Sequence, residues 1–328
     1  VVLSSALHRA RGSMRVQQQL TRVRVARDRL IDHPLRQLER ARRRLVSEDV
    51  DVLLLGDSSM LCWSPRDTDR TMIPTMLADR IGGNVVTVQG PGYGAAIYGE
   101  ALRILGTLDR RPSAVVFSMA VRLNTATHVL RHPVVGYPRS LRALATVKGA
   151  GRPIRYVGRG GSSHTDAERS AFYALPVTSR WSGDHTIDYF RRRLDGMGAP
   201  PWPEELERLR FDYFHGERVL PDNPGLPLIQ QFGRQVEDYG VPTVGFWSKP
   251  PLQRGELHFP GEFESHVRDN LSKVQAALSA GGPSLPPLLE IDIAEDEFED
   301  SQNAIEHFDH AGRTKIAEAL ASVVSRTG

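Results

Sequence analysis

Gly56-Asp57-Ser58-Ser59 directly follows the apolar run Val52 to Leu55. A serine on a tight turn between a strand and a helix can stand exposed as a nucleophile, with its own backbone N–H facing the reacting oxygen. Gly90-Pro91-Gly92 closes a second apolar run, Asn84 to Gln89. A glycine there lets a substrate approach a bare N–H, which would be a second oxyanion donor. Ala120 to Asn124 follows a third run, Ser113 to Met119, and brings Arg122 and Asn124 to the same rim. Near the C-terminus, Glu306-His307-Phe308-Asp309-His310-Ala311-Gly312 precedes a helical pattern. A histidine placed there can take a serine proton. His307 is the candidate base, and His310 is its neighbour at the helix start. The chemistry these residues suggest is acyl transfer through a serine.

The elements that must position them read as an alternation. Val50 to Leu55, Asn84 to Gln89, Ser113 to Met119, Pro242 to Trp247 and Leu288 to Ile293 read as strands. Pro74 to Ile81, Ala95 to Leu108, Glu262 to Leu278 and Ala311 to Val324 read as helices, by apolar spacing of three and four. Strands alternating with helices predict a five-stranded, mainly parallel sheet between two helical layers, an α/β/α sandwich. Such sheets carry their sites at the C-terminal ends of the strands, where the residues above fall. From about 125 to 240 the pattern degrades into glycines, prolines, tryptophans and scattered histidines, and reads as an irregular, cap-like insertion. The aromatic residues there are expected to form mainly its own small core.

These blocks resemble the SGNH/GDSL hydrolases, serine esterases of flavodoxin-like α/β/α fold. The likeness runs in family order from about residue 50 to 325. Val52 to Ser59 is similar to the first family block, which implies Ser58 as the nucleophile, with Asp57 beside it. Gly92 matches the oxyanion glycine. His307 stands five residues before Gly312, like the family histidine that opens the last helix. Two positions depart from the pattern. The third block lacks its Asn-Asp pair, so Arg122, or Asn124 as the nearest amide, stands in the donor's place. The position three before the histidine is Ala304 rather than an acid. Asp300, seven residues before His307, serves if a short insertion loops out between them. Otherwise a Ser–His dyad remains, and the oxyanion hole and binding still contribute. A fainter likeness to the acyl-transfer branch of the family leaves hydrolase and acyltransferase both open. The substrate expected is a small-molecule, glycan or peptide acyl ester, and no cofactor or metal is implied.

Composition narrows the alternatives. The chain has 328 residues, 40% of them hydrophobic and 25% charged, enough for a substantial core and too apolar for wholesale disorder. The single cysteine, Cys62, excludes an internal disulfide framework and a cysteine-built zinc site. It is expected to be a buried small hydrophobe. Up to residue 50 there are twelve arginines against five acids, so the +3 excess of the whole chain sits at this end and the remainder is net −4. Residues 1–49 read as an arginine-rich helical extension broken at His33-Pro34, and 50–328 as the catalytic domain. The extension is a packing element or a dock for an acidic partner. It holds no aromatic residue, so nucleic acid is not the expected partner. No apolar run approaches the roughly 20 residues of a membrane span, and the first fifty residues lack the apolar stretch of a secretory leader. A cytoplasmic setting is therefore expected. Two other readings stay open: a non-catalytic binding protein of the same fold, and a dinucleotide site on Gly90-Pro91-Gly92-Tyr93-Gly94-Ala95, which fits G-x-G-x-x-A. The second leaves Ser58 and His307 without a role.

Overall fold

The computed structural model describes residues 34–125, 174, 176–194 and 201–327. The helix expected before His33 and most of the insertion, with His128, His132 and His164, lie outside them. In chain order the described elements are α1 (Pro34–Ser47), β1 (Val52–Gly56), α2 (Ile73–Ile81), β2 (Val85–Gln89), α3 (Ala95–Leu105) and β3 (Ala114–Met119). An antiparallel pair follows, β4 (Pro176–Ser179) and β5 (Gly183–Thr186), then α4 (Ile187–Leu194), α5 (Glu204–His215) and α6 (Gly225–Tyr239). The chain closes with β6 (Thr243–Trp247), α7 (Leu252–His258), α8 (Phe263–Gly281) and α9 (His310–Thr327).

The main sheet runs β2-β1-β3-β6, and every neighbouring pair is parallel. The strands are short, aliphatic and buried on both faces, as a sheet covered by two helical layers requires. Alternation sorts their side chains. Leu53, Leu55, Val115 and Phe117 join a core with residues of α1, α3, α6 and α8. Val52, Leu54, Val116 and Phe246 join another with residues of α2 and α9. Each fully buried leucine contributes roughly 1.5–3 kcal/mol. The chain is thus α/β, with a parallel sheet between helical layers.

Three features differ in extent from expectation. The fifth strand is reduced to one parallel bridge, Phe246 to Leu289, in which Leu289 N–H donates to Gly245 O and Trp247 N–H to Leu289 O. On its N-terminal side the ladder stops at Pro287, which shares the side of Leu289 but has no N–H to donate to β6. Gly225–Tyr239, read as part of the insertion, is instead an ordinary layer helix, which buries Ile229, Phe232 and Val236 against α3 and α8. The segment Pro34–Ser47, read as part of an extension, puts Leu38, Ala41 and Leu45 into the main core. Its Arg42 and Arg43 pair with Glu39, and Arg44 pairs with Glu48. No helix among the described residues is long and apolar enough to cross a membrane.

Candidate active site

The site lies where β1 ends. Gly56 must be glycine, because a Cβ there would stand 2.6 Å from Met60 Cγ. The chain then turns into a 3₁₀ segment, Ser58–Met60. Asp57 caps it: one carboxylate oxygen accepts from Ser59 N–H at 2.7 Å and the other from Ser118 Oγ at 3.1 Å. Ser118 Oγ also accepts from Asp57 N–H at 3.2 Å and lies 3.2 Å from the Tyr98 hydroxyl. Burial raises the Asp57 carboxyl above its ordinary range, although the bonds from Ser59 oppose the shift. Asp57 therefore shapes the turn from beneath, and the turn presents Ser58.

His307 arrives from the other end of the chain. Phe298 and Phe308 form an antiparallel bridge, and Glu299 N–H donates to His307 O at 2.9 Å. Both phenyl rings enter the core, at 2% and 1% exposure. In extended backbone adjacent side chains point to opposite sides, so Glu299 and His307 both turn toward Ser58. His307 Nε2 lies 3.1 Å from Ser58 Oγ, and its Nδ1 lies 3.0 Å from Glu299 Oε2. Serine, histidine and carboxylate thus form one hydrogen-bonded line.

The carboxylate differs from the one expected. Asp300 caps the 3₁₀ segment Ser301–Asn303, accepting from Gln302 N–H at 3.1 Å and from Asn303 Nδ2 at 3.3 Å. Asp300 therefore does not hold the histidine, and the acid beside it, Glu299, does. Ala304, three residues before His307, has left-handed backbone (φ 57). Its carbonyl is fixed 2.6 Å from His215 Nε2. That pairing is wholly buried, and burial drives the His215 imidazole down to about 3, so it stays neutral.

Cys62 also differs from expectation. It is half-buried rather than buried, and its Sγ lies 3.4 Å from the same His307 Nε2 that faces Ser58. Burial pushes the His307 imidazole down, but Cys62 and Glu299 outweigh it and hold the ring up at about 9. The segment that carries Cys62 is clamped to the loop that carries Glu299. Arg66 donates to Phe298 O and Glu299 O, each at 3.2 Å. The fully buried Arg313 of α9 donates to Asp67, Asp69 O, Thr71 O and Phe308 O.

The remaining expected residues fall nearby, in different roles. Gly90-Pro91-Gly92-Tyr93 is a tight turn. Tyr93 N–H donates to Gly90 O, Pro91 takes the second position, and Gly92 has φ +71 at the third, the pattern of a type II turn. The glycines of the G-x-G-x-x-A match thus have a local reason. Arg122 is buried, and its Nε donates to Glu306 at 2.5 Å. Its positive charge acts on His307 and on Asp57. Asn124 commits both amide hydrogens, to Ala120 O at 3.0 Å and to Met119 Sδ at 3.1 Å. Beside Glu299 opens a cleft of about 660 Å³, lined by Ser64, Arg66, Glu295, Phe298, Glu299 and Asp300 among others.

No protein-family model matches the chain, and no curated protein matches it. Among solved structures it is similar to an acetyl xylan esterase (Est2A) from the rumen bacterium Butyrivibrio proteoclasticus, with 9% sequence identity and a TM-score of 0.35. That alignment covers 84% of this chain and 63% of the esterase, so it spans less than two thirds of that protein's length.

Proposed function

We propose that the protein is a serine-dependent acyl-ester hydrolase or acyltransferase of SGNH type, with Ser58 as nucleophile, His307 as general base and Glu299 as the orienting acid. One observation carries the reading: the His307 ring bridges Ser58 Oγ and a carboxylate at 3.1 and 3.0 Å, within reach for proton transfer. Ser58 Oγ attacks the acyl carbonyl while Nε2 takes its proton. Glu299 fixes the Nδ1–H tautomer and stabilises the imidazolium. The tetrahedral oxyanion is held by the backbone N–H groups of Ser58 and Gly92. Asn124 has no amide hydrogen left to give, and Arg122 is committed to its buried pair with Glu306. Collapse expels the alcohol, which recovers the proton from His307 and leaves an acyl-serine. Water activated by His307 releases the acid, or an acceptor hydroxyl or amine takes the acyl group instead.

The cleft beside Glu299 carries Glu295, Asp296 and Asp300 against the single cation Arg66. Such a lining attracts cations and repels anions; it adjoins the site through Glu299, and Ser58 and His307 are not among its residues.

A fluorophosphonate probe tests the mechanism. The intact protein is expected to label once, on the peptide that carries Ser58, and Ser58→Ala is expected not to label. A label on Cys62, or none on the folded parent, overturns the assignment. Adding candidate acceptors to the acyl-enzyme then separates transfer from hydrolysis by product analysis.

A further inference from the structure

Both Ser58 and Cys62 approach His307 Nε2, although an imidazole nitrogen offers a single lone pair. One proton shared between two neighbours makes a divided, weaker hydrogen bond, whereas one metal ion takes both as full ligands. In a tetrahedral zinc site, Zn–S of about 2.3 Å and Zn–N of about 2.0–2.1 Å put sulfur and nitrogen roughly 3.5 Å apart, and an oxygen ligand roughly 3.4 Å from the nitrogen. The observed separations are 3.4 Å for Cys62 Sγ and 3.1 Å for Ser58 Oγ. Donor atoms of Cys62, Glu299 and His307 all lie within 4.8 Å of one another. Glu299 on Nδ1 completes the carboxylate–histidine arrangement that orients metal-bound imidazoles. We propose that Cys62 and His307, with Ser58 Oγ as a third donor and Glu299 behind the ring, bind a thiophilic divalent ion such as Zn²⁺, and that the ion switches the serine off.

The lone cysteine does not weaken this, because the site is mixed rather than built from cysteines. Thiolate and imidazole donors select zinc over magnesium or calcium. A bound ion occupies the Nε2 lone pair that must receive the Ser58 proton, and draws Ser58 Oγ in as a ligand, so nucleophile and base are lost together. The metal site stands independently of the esterase reading; only its inhibitory consequence rests on that reading.

The test uses the full chain, reduced and stripped of metal. Titration with Co²⁺ is expected to give a thiolate-to-cobalt charge-transfer band that saturates at one ion per chain and is displaced by Zn²⁺. Cys62→Ala is expected to lose the band and to bind Zn²⁺ at least about 100-fold more weakly by calorimetry, more than an outer-shell partner usually contributes. Ser58→Ala should keep the band. In the parent, reversible blocking of Cys62 with a methanethiosulfonate should reproduce the loss without any substitution, and reduction should restore binding. Saturating Zn²⁺, but not Mg²⁺, should slow fluorophosphonate labelling at least about tenfold. Absence of the band in the folded parent, or parent-like Zn²⁺ affinity in Cys62→Ala or in the blocked protein, overturns the site. A cobalt band on titration together with no labelling of the metal-free protein supports the metal site and sinks the serine mechanism. Labelling without the band does the reverse.

Discussion

Replacing Glu299 by glutamine isolates the contribution of the carboxylate on His307. The pair is mostly shielded: the histidine side chain is 16% exposed and the glutamate 21%. During acylation the ring becomes an imidazolium with Oε2 at 3.0 Å from Nδ1. At an effective dielectric constant of about 20, unit charges at that distance attract by roughly 5–6 kcal/mol. Glutamine keeps an oxygen acceptor and recovers roughly 0.5–1.5 kcal/mol as a neutral hydrogen bond. The net loss is about 3.5–5.5 kcal/mol, or roughly 10^2.5–10⁴ in kcat/KM. The assay is hydrolysis of a chromogenic short-chain acyl ester, with the rate of fluorophosphonate labelling measured in parallel. Asp300→Asn is the internal control. Its carboxylate caps a 3₁₀ segment rather than the histidine, so activity should stay within about threefold of the parent, and stability should change little because asparagine caps about as well as aspartate. A larger loss in Asp300→Asn than in Glu299→Gln, with both variants folded, would refute the assignment of the acid.

Four further outcomes are expected. With metal chelated, kcat/KM should rise with pH toward a midpoint near the raised His307 value of about 9, because only the neutral ring accepts a proton. Cys62→Ala removes one of the groups that raise it, so the midpoint should move down, and an unmoved pH–rate profile would contradict that cause. The same raised value links to folding: its stabilisation, at most about 3 kcal/mol, is complete below the ordinary histidine pKa of 6.5 and is lost as pH climbs through about 9. Denaturant midpoints across that range measure it. Arg122→Met strands the Glu306 carboxylate in a buried site, which should cost about 3–5 kcal/mol, whereas Arg122→Met with Glu306→Leu should regain most of it; urea unfolding of the single and double variants decides. Arg313→Met takes its guanidinium from three carbonyls and from Asp67, which keeps only the N–H groups of Ser64 and His310. It should destabilise by a similar amount and free the segment that carries Cys62, read by faster alkylation of the thiol.

The architecture was legible wherever local pattern and burial coincide. β1 and β3 are continuous aliphatic runs because both faces of the sheet are covered, and a run of that kind has few other homes in a chain of this composition. On its N-terminal side the fifth strand fell short for a backbone reason, since Pro287 has no N–H to donate to β6. Helix α6 escaped notice although Ile229, Phe232 and Val236 follow helical spacing, because the irregular sequence around it suggested that the whole region was an excursion from the sheet. Helix α1 belongs to the segment read as a packing element or a dock, and it packs. Its arginines dominate the composition, while three small or aliphatic residues, Leu38, Ala41 and Leu45, decide where it packs.

The site divides along the same line between local and cross-chain information. Ser58 and the tight turn at Gly92 belong to strand ends, where a few neighbouring residues set the geometry. The choice of acid depends on how residues 297–309 fold back on themselves, which spacing counted from His307 does not reveal. The signal was the mirrored order Phe298-Glu299 and His307-Phe308. Two buried aromatics in antiparallel register force the two polar neighbours onto the opposite side together. Asp300 shares no such constraint: one residue further on, the backbone has left the pairing, and an aspartate at that point finds the free N–H groups of the next 3₁₀ turn instead. Cys62 was misjudged through its residue type, because a cysteine alone in a sequence is most often a small hydrophobe. Its contact with His307 spans 245 positions and depends on the clamp of Arg66 and Arg313, which no local pattern encodes.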